Sequence, residues 1–354
     1  MELKVERAKK SDLPYISLFF KRLFQGAHRY GRENMFVWKI FENIWQMGFI
    51  NLIKDNNTIV SSTSITPKLL LLNNKKVIAA EIGDTYTETS YQRKGMFTKL
   101  INTSRQNAEE AGIQFVYGTP NKQSLPGYLK NANFFEIENL NIRSLTFSLS
   151  AKSKFNHLMG SGLPKLFNKV YQIYAQKYII FRRLFIKEHA DWSIDQIDSI
   201  PLDWNAFWIQ AAKGYSFIID RSAKSQDWRY IRNPEKYSFL TIRDNGELVG
   251  YCVYRNIPES DGEGNIVIAD YLFLRGYETG LTLCLNEIFQ KAFITSIRSV
   301  CVWCDLKSPY YTVFRNYGLR EAGKIPIIAY GETVKKIINK LNNSHFTMGD
   351  SDNA

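Results

Sequence analysis

The stretch at 82–100, IGDTYTETSYQRKGMFTKL, constrains this chain more than any other. An extended, Thr-rich run ends in the polar turn Gln92-Arg93-Lys94-Gly95, and Met96 opens a segment whose apolar residues Phe97, Leu100 and Ile101 recur at helical spacing. A strand feeding a short basic loop and then a helix start is a ready anion site. The first helical N–H groups have no partner inside the helix, and the dipole favours negative charge there. Gly95 lets the backbone approach a phosphate closely.

Both flanks agree with that unit. Residues 4–7 read as a strand, Ser11-Asp12 as a helix N-cap with Pro14 in the first turn, and Ile16, Phe19, Phe20, Leu23 and Phe24 as one helical face. A helical stretch at 35–45 precedes extended segments at 48–54, 58–67 and 68–72, and Asn73-Asn74 turns the chain into a strand at 76–87. After the loop a helix runs to about Ala111 and is capped by Gly112, followed by a buried-type strand at 113–118. Next comes a segment with Asn121, Ser124, Tyr128, Lys130, Asn133 and Phe134.

The loop resembles the pyrophosphate-binding loop of the GCN5-related N-acetyltransferases (GNAT), with Gln92, Gly95 and Phe97 in its three marked places. The segment from Asn121 to Phe134 resembles the family's other signature, with Asn133 where Gly would stand, in the left-handed conformation that Asn tolerates. The resemblance implies an α/β fold built on mixed sheets (α+β), and an acyl-CoA-dependent N-acyltransferase that moves an acetyl or other short acyl group to a primary amine. It implies acetyl-CoA as co-substrate, without a metal. Gln92, Arg93, Lys94, Gly95, Met96 and Phe97 would grip the pyrophosphate, Tyr86 and Thr87 would pair by backbone with the pantetheine arm, and Asn121 would join them. Tyr128 matches the tyrosine that serves the leaving thiolate. For the general base the strand offers Asp84, which shares a face with Tyr86, and then Glu81, with a water relay as the alternative.

At 354 residues the chain exceeds one typical core, and its 45% hydrophobic content can fill two. The net charge of +12 suits an acidic partner. The sequence has no apolar run of membrane-spanning length and no signal peptide, which points to the cytoplasm. Its four cysteines make no disulfide framework, and Cys301 and Cys304 lie in a predicted strand that sends their thiols to opposite faces.

Four parts follow: an acyl-CoA-binding domain at 1–150, a basic helical linker at 151–187, a degenerate copy of the same fold at 188–341 and a polar tail at 342–354. The linker carries Lys152, Lys154, Lys165, Lys169, Lys177, Arg182, Arg183 and Lys187 and no acidic residue. Leu163, Phe167, Val170, Tyr171, Tyr174, Tyr178, Phe181 and Phe185 give it an apolar periodicity. It reads either as a bridge with a buried face or as a helix lying on anionic lipid at 163–187. In the copy, SQDWRYIRNPEK at 225–236 reads as a bridging piece, and the turn RGYETG at 275–280 keeps only Gly280, with Glu278 set against a pyrophosphate. The tail's Asp350 and Asp352 read either as ligands for an acceptor amine or sugar or as part of a disordered polar end.

The acceptor expected for such a tandem protein is a small amine, tested first as a nucleotide-linked or lipid-linked amino sugar of surface-polysaccharide biosynthesis, with no specific nucleic-acid partner. The competing readings are a Fem-type aminoacyl-tRNA-dependent transferase and a non-catalytic membrane-surface binding protein.

Overall fold

The computed structural model describes residues 4–24, 32–150, 165–183, 191–258, 263–338 and 341–351. The chain begins β1 (Val5–Arg7), α1 (Leu13–Leu23), α2 (Glu33–Phe36), β2 (Phe49–Asp55), β3 (Thr58–Leu72) and β4 (Lys75–Thr87). It continues α3 (Met96–Glu110), β5 (Phe115–Gly118), α4 (Leu125–Asn131), β6 (Phe135–Glu136), β7 (Ile142–Ser148) and α5 (Lys165–Arg183). Then come β8 (Trp192–Ile197), α6 (Trp204–Ala212), β9 (Phe217–Ile219), α7 (Ala223–Gln226), β10 (Ser238–Asp244), β11 (Glu247–Pro258) and β12 (Gly264–Phe273). The last elements used here are α8 (Leu281–Ile294), β13 (Ile297–Asp305), α9 (Pro309–Asn316), β14 (Arg320–Lys324) and β15 (Ile328–Tyr330). Among the described residues no helix is long and apolar enough to cross a membrane.

The chain divides into two units, each assembled from three stretches. The first is Met1–Leu140, Ser216–Glu235 and Pro326–Asn342, and the second Asn141–Tyr215, Lys236–Ile325 and Asn343–Ala354. Boundaries at 150, 187 and 341 do not describe them. β7 pairs with β13 and β14, whereas β9 pairs with β3, and β15 lies between β5 and β6. Backbone groups are satisfied by whichever strand reaches them, so an edge can be closed by a segment hundreds of residues away.

The sheet of the first unit follows the order β1-β2-β3-β4-β5-β15-β6. Two-residue turns with both central residues at positive φ join β2 to β3 (Asn56, Asn57) and β3 to β4 (Asn73, Asn74), the conformation that matches strand twist. β3 is one continuous strand, not two. Pro67 lies between the stretch of β3 paired to β2, which ends at Ile65, and that paired to β9, which starts at Leu70, so its missing N–H breaks no ladder. One face packs α3 and α4 around Ile65, Ile82, Ile101, Val116 and Tyr128, and a separate cluster gathers Ile16, Phe19 and Phe20 of α1 with Phe36, Ile50 and Leu52.

The segment at 225–236 is not a connector. α7 continues into a π turn, Asp227–Ile231, and α2 continues into another, Val37–Phe41. Trp38 and Trp228 stack at 4.8 Å, and each indole N–H donates to the other residue's carbonyl. Asn43 donates to the Lys39 carbonyl as Asn233 does to that of Arg229, so WKIFEN and WRYIRN are two copies of one turn.

The second unit has the order β14-β7-β13-β12-β11-β10-β8. Its core runs through Leu145, Ala175, Ile179, Ile268, Leu285, Val302 and Phe314. Cys304 is buried, which pushes its thiol up to about 12, and no group of three metal-ligating side chains occurs among the described residues. The tail is packed: Thr347 and Asp350 are buried and cap each other across a 3₁₀ turn, so Asp350 is not a solvated group. Lys152, Lys154, Leu163, Phe185, Lys187 and Asp352, and the side chains of Lys165 and Arg183, lie outside what is described.

Candidate functional site

β4 and β5 run parallel and pair only from Ala79–Phe115 to Glu81–Tyr117. Beyond that the two strands part; on its other edge β5 pairs with β15 from Val116 to Gly118. A Cβ on Gly118 would come within 3.0 Å of Ile82 Cγ2, so the absence of a side chain allows the close approach from which the strands split. Among the described residues, the edge of β4 from Ile82 to Thr87 therefore has no partner strand on that side.

This edge leads into the basic turn and α3. Gly95 is the N-cap in the left-handed conformation, φ 79°, and a Cβ built on it would meet nothing within 4 Å. The Lys99 N–H makes the first helical bond, to the Gly95 carbonyl (3.0 Å), leaving the amides of Met96, Phe97 and Thr98 without a helical acceptor. No acidic residue stands in the first turn, and Gln92, Arg93, Lys94 and Gly95 are exposed.

A cleft of about 490 Å³ opens here, lined by Thr85, Tyr86 and Thr87 of β4, by Tyr91, Gln92, Arg93, Gly95, Met96, Phe97 and Thr98, and by Asn121, Gln123, Ser124, Gly127 and Asn131 around α4. That size suits a ligand of several tens of atoms. Three expected residues serve the cleft's walls. Gln92 Nε2 donates to the Thr87 carbonyl (2.9 Å), Lys94 Nζ lies 5.2 Å over the Tyr91 ring, and Asn121 Oδ1 accepts from the Gln123 and Ser124 amides (2.9 Å each) to start α4. The Tyr86 carbonyl accepts from Ser61 Oγ (2.9 Å), and its ring packs against Phe19 and Phe24.

Tyr128 is buried behind the cleft, its ring edge-on to Phe97 and Phe134 with both centroids at 5.1 Å. A Cβ on Gly127 would lie 2.8 Å from Phe97 Cε1, so a side chain there would displace that ring. Asn133 takes φ 56°, the left-handed conformation expected of it. The Tyr128 hydroxyl shares a hydrogen bond with Thr85 Oγ1 (2.9 Å), which shares another with Thr63 Oγ1 (2.8 Å). Burial pushes the phenol well above its ordinary range; the Thr85 bond opposes this, and the charges of Glu81 and Asp84 add to it. The group is a proton-bearing donor and not an incipient phenolate.

Neither candidate base lines the cleft. β4 bulges where Ser62 pairs with Tyr86 and Ser64 with Gly83, so that Asp84 and Thr85 face the single Thr63, with Asp84 at φ 47°. The bulge hands the Asp84 carboxylate to Lys39 Nζ (2.6 Å) and Ser64 Oγ (2.7 Å), its side chain 6% exposed. Glu81 is held by Lys68 Nζ at 2.7 Å with 3% exposure. Neither carboxylate faces the cleft and each is ion-paired, so the base role expected of Asp84 and Glu81 would need water to carry the proton. Lys39 and Lys68 were missed because each stands far from its partner in sequence; an apolar-flanked Lys at 39 was the available signal.

The matching position of the second unit is closed. Gly280 has φ −59° and is buried, and a Cβ on it would meet Phe273 at 2.9 Å and Trp192 at 3.2 Å. β12 and β13 pair in parallel only to Ile268–Val302, yet the edge beyond is filled. Phe273 N–H donates to the Tyr310 hydroxyl (2.8 Å), and His345 Nε2 bonds the Tyr271 carbonyl (2.8 Å).

Residues 4–134 match the family model described as an acetyltransferase (GNAT) domain. No curated protein matches the chain by sequence. Among solved structures, a probable N-acyltransferase of Enterococcus faecalis V583 superposes with TM-score 0.60 at 12% identity, covering 93% of this chain and 72% of that one. A tandem GNAT protein from the clavulanic acid biosynthesis pathway gives TM-score 0.59 at 12% identity, over 93% and 98%. Saccharomyces cerevisiae N-myristoyltransferase with bound myristoyl-CoA gives 0.63 at 10% identity, over 94% and 79%. At these identities the likeness is one of fold.

Proposed function

We propose that this chain is an acyl-CoA-dependent N-acyltransferase of the GNAT kind, moving an acetyl or other short acyl group to a primary amine within its first unit; the match of residues 4–134 to the GNAT domain and the shared fold of the solved structures support this reading. The reading rests on one observation. The left-handed Gly95 turn, three unclaimed helix amides and an unpaired strand edge line one continuous cleft. A diphosphate fits the amides of Met96, Phe97 and Thr98 beside Arg93, and an extended arm fits along the β4 edge at Thr85 to Thr87, where it would share or replace the bond from Gln92 Nε2 to the Thr87 carbonyl.

The reaction needs an oriented thioester, a donor for the departing thiolate and an outlet for the ammonium proton. Tyr128 supplies the donor. Burial raises its pKa and keeps the hydroxyl protonated, so it stabilises thiolate by hydrogen bonding, and Thr85 and Thr63 orient it. The ammonium proton leaves to water, because Asp84 and Glu81 are committed to Lys39 and Lys68. Those two pairs stiffen the bulged strand that aims Thr85 at Tyr128.

The acceptor we favour is an amino sugar carrying phosphate, nucleotide-linked or lipid-linked, because its charge suits a chain of net charge +12. Release of free thiol from acetyl-CoA, followed over a panel of amino sugars, polyamines and amino acids, tests this. Turnover with a phosphorylated amino sugar, lost in Gly95→Glu, supports it. Turnover with polyamines alone would redirect the acceptor, and no thiol release with any amine would end the acyl-transfer reading.

A further inference from the structure

Helix α5 has two apolar sides. One is buried: Ala175 and Ile179 enter the core of the second unit, Tyr171 donates to the Ser148 carbonyl (3.3 Å), and Arg182 Nε donates to the Asn316 carbonyl (2.6 Å). A helix docked in this way is ordinarily polar on its outer side. Here the outer side carries Phe167, Val170, Ile173, Tyr174, Ile180 and Phe181, each 42% to 59% exposed. At ~100° per residue they cover an arc of roughly 140°, with Lys177 inside it and Lys169 at its margin. An exposed apolar surface of this extent marks an interaction site.

The surface continues past the helix. A groove of about 590 Å³ runs between α5 and α8, floored by Ile179, Ile180, Phe289 and Phe293, with Ile294 84% exposed at its end and Glu287 and Lys291 among its polar lining.

We propose that this face docks the protein on an anionic phospholipid bilayer. The helix lies in the plane of the interface, its aromatic and branched side chains entering the headgroup boundary while Lys169 and Lys177 meet lipid phosphates. Charge decides between this and a second copy of the chain. Residues 165–183 contain five cations and no acidic residue, so two such faces would set lysine against lysine, whereas a phosphate-bearing surface neutralises them. The helix spans ~28 Å of contact at 1.5 Å per residue, and it is not apolar enough to cross the bilayer.

Flotation of the full chain with phosphatidylcholine vesicles, with and without phosphatidylglycerol, tests the proposal. The protein is expected to float with the mixed vesicles and to stay behind with phosphatidylcholine alone. Lys169→Gln combined with Lys177→Gln should lower partitioning by about twentyfivefold, at about fivefold per charge near an anionic surface. Phe167→Ser combined with Phe181→Ser should abolish it while both variants still show a cooperative thermal melt. Failure to float with either vesicle overturns the proposal, as does floating that neither variant weakens. A concentration-dependent dimer that the Phe variant dissolves, without vesicle binding, overturns it in favour of self-association. Flotation is read independently of thiol release, so the docking surface and the acyltransferase reading fail separately.

Discussion

The two strand-to-helix turns of this molecule, one at Gly95 and one at Gly280, start from the same plan and end in opposite states. In the first, glycine is left-handed and exposed, the preceding strand has an unpaired edge, and the space in front of the helix is open. In the second, glycine is right-handed and buried against Phe273 and Trp192, and the edge is occupied by the hydroxyl of Tyr310 and the ring of His345. Backbone groups at the strand edge that a ligand would meet in the first unit, here the Phe273 amide and the Tyr271 carbonyl, are bonded by the protein's own side chains in the second. A ligand site and a stable core are alternative uses of the same unpaired backbone groups.

The largest effect expected concerns the carboxylate at each bulged strand. Lys39→Met removes the ammonium that pairs with the buried Asp84 carboxylate, leaving it the Ser64 hydroxyl, and should cost ~3–5 kcal/mol in a denaturant melt. Tyr251→Phe removes one neutral partner of Asp270, whose Oδ2 accepts from that hydroxyl at 2.8 Å, and should cost ~1–3 kcal/mol. Equal losses would erase this contrast between the units.

Next come the two tyrosines. Tyr128→Phe should lower kcat by ~10²–10³-fold, the usual effect of deleting one donor to developing negative charge, with KM for the acyl donor nearly unchanged. Tyr310→Phe should leave kcat alone and lower stability by ~1–3 kcal/mol, because it orphans the Phe273 amide. A fall in kcat for Tyr310→Phe would show that the second unit is not a filled copy.

The glycines follow. Gly95→Glu sets a carboxylate and a strained left-handed residue at the anion site, and should weaken coenzyme A binding by at least ~100-fold, about 2.7 kcal/mol. Gly280→Ala should leave that affinity unchanged and lower the melting temperature, since an overpacked core position costs ~1–3 kcal/mol. Calorimetric titration and a thermal melt read the two.

The smallest effect is with pH. Burial raises the folded Tyr128 pKa above the unfolded value of about 10. The neutral form is therefore favoured by folding, its contribution to stability is complete below pH ~10, and it is lost as pH rises beyond that. The kcat profile should show no descending limb from this group below pH ~10, and Tyr128→Phe should leave the profile's shape unchanged there.

Local features were legible in the sequence. The Gly95 turn, the left-handed Asn133, the Asn73-Asn74 hairpin and the spacing that buries Leu100 and Ile101 on α3 all depend on neighbours a few residues apart. What was not legible depends on distant partners. Asp84 and Glu81 look like free acids until Lys39 and Lys68 arrive from other elements, and β7 and β15 look like ends of their own domains until they pair elsewhere. The repeat of Trp-Lys and Trp-Arg at 38–39 and 228–229 was present in the sequence, but its meaning lies in a stack across 190 positions.

The most direct test of the difference between the two turns is backbone amide chemical shifts of the intact protein during titration with coenzyme A. Saturable shifts at Gly95, Met96, Phe97 and Thr98, with Gly280, Leu281 and Thr282 unmoved, are the result expected. Shifts that cluster at the start of α8, or that miss the start of α3 at a concentration where binding is measured, would contradict it.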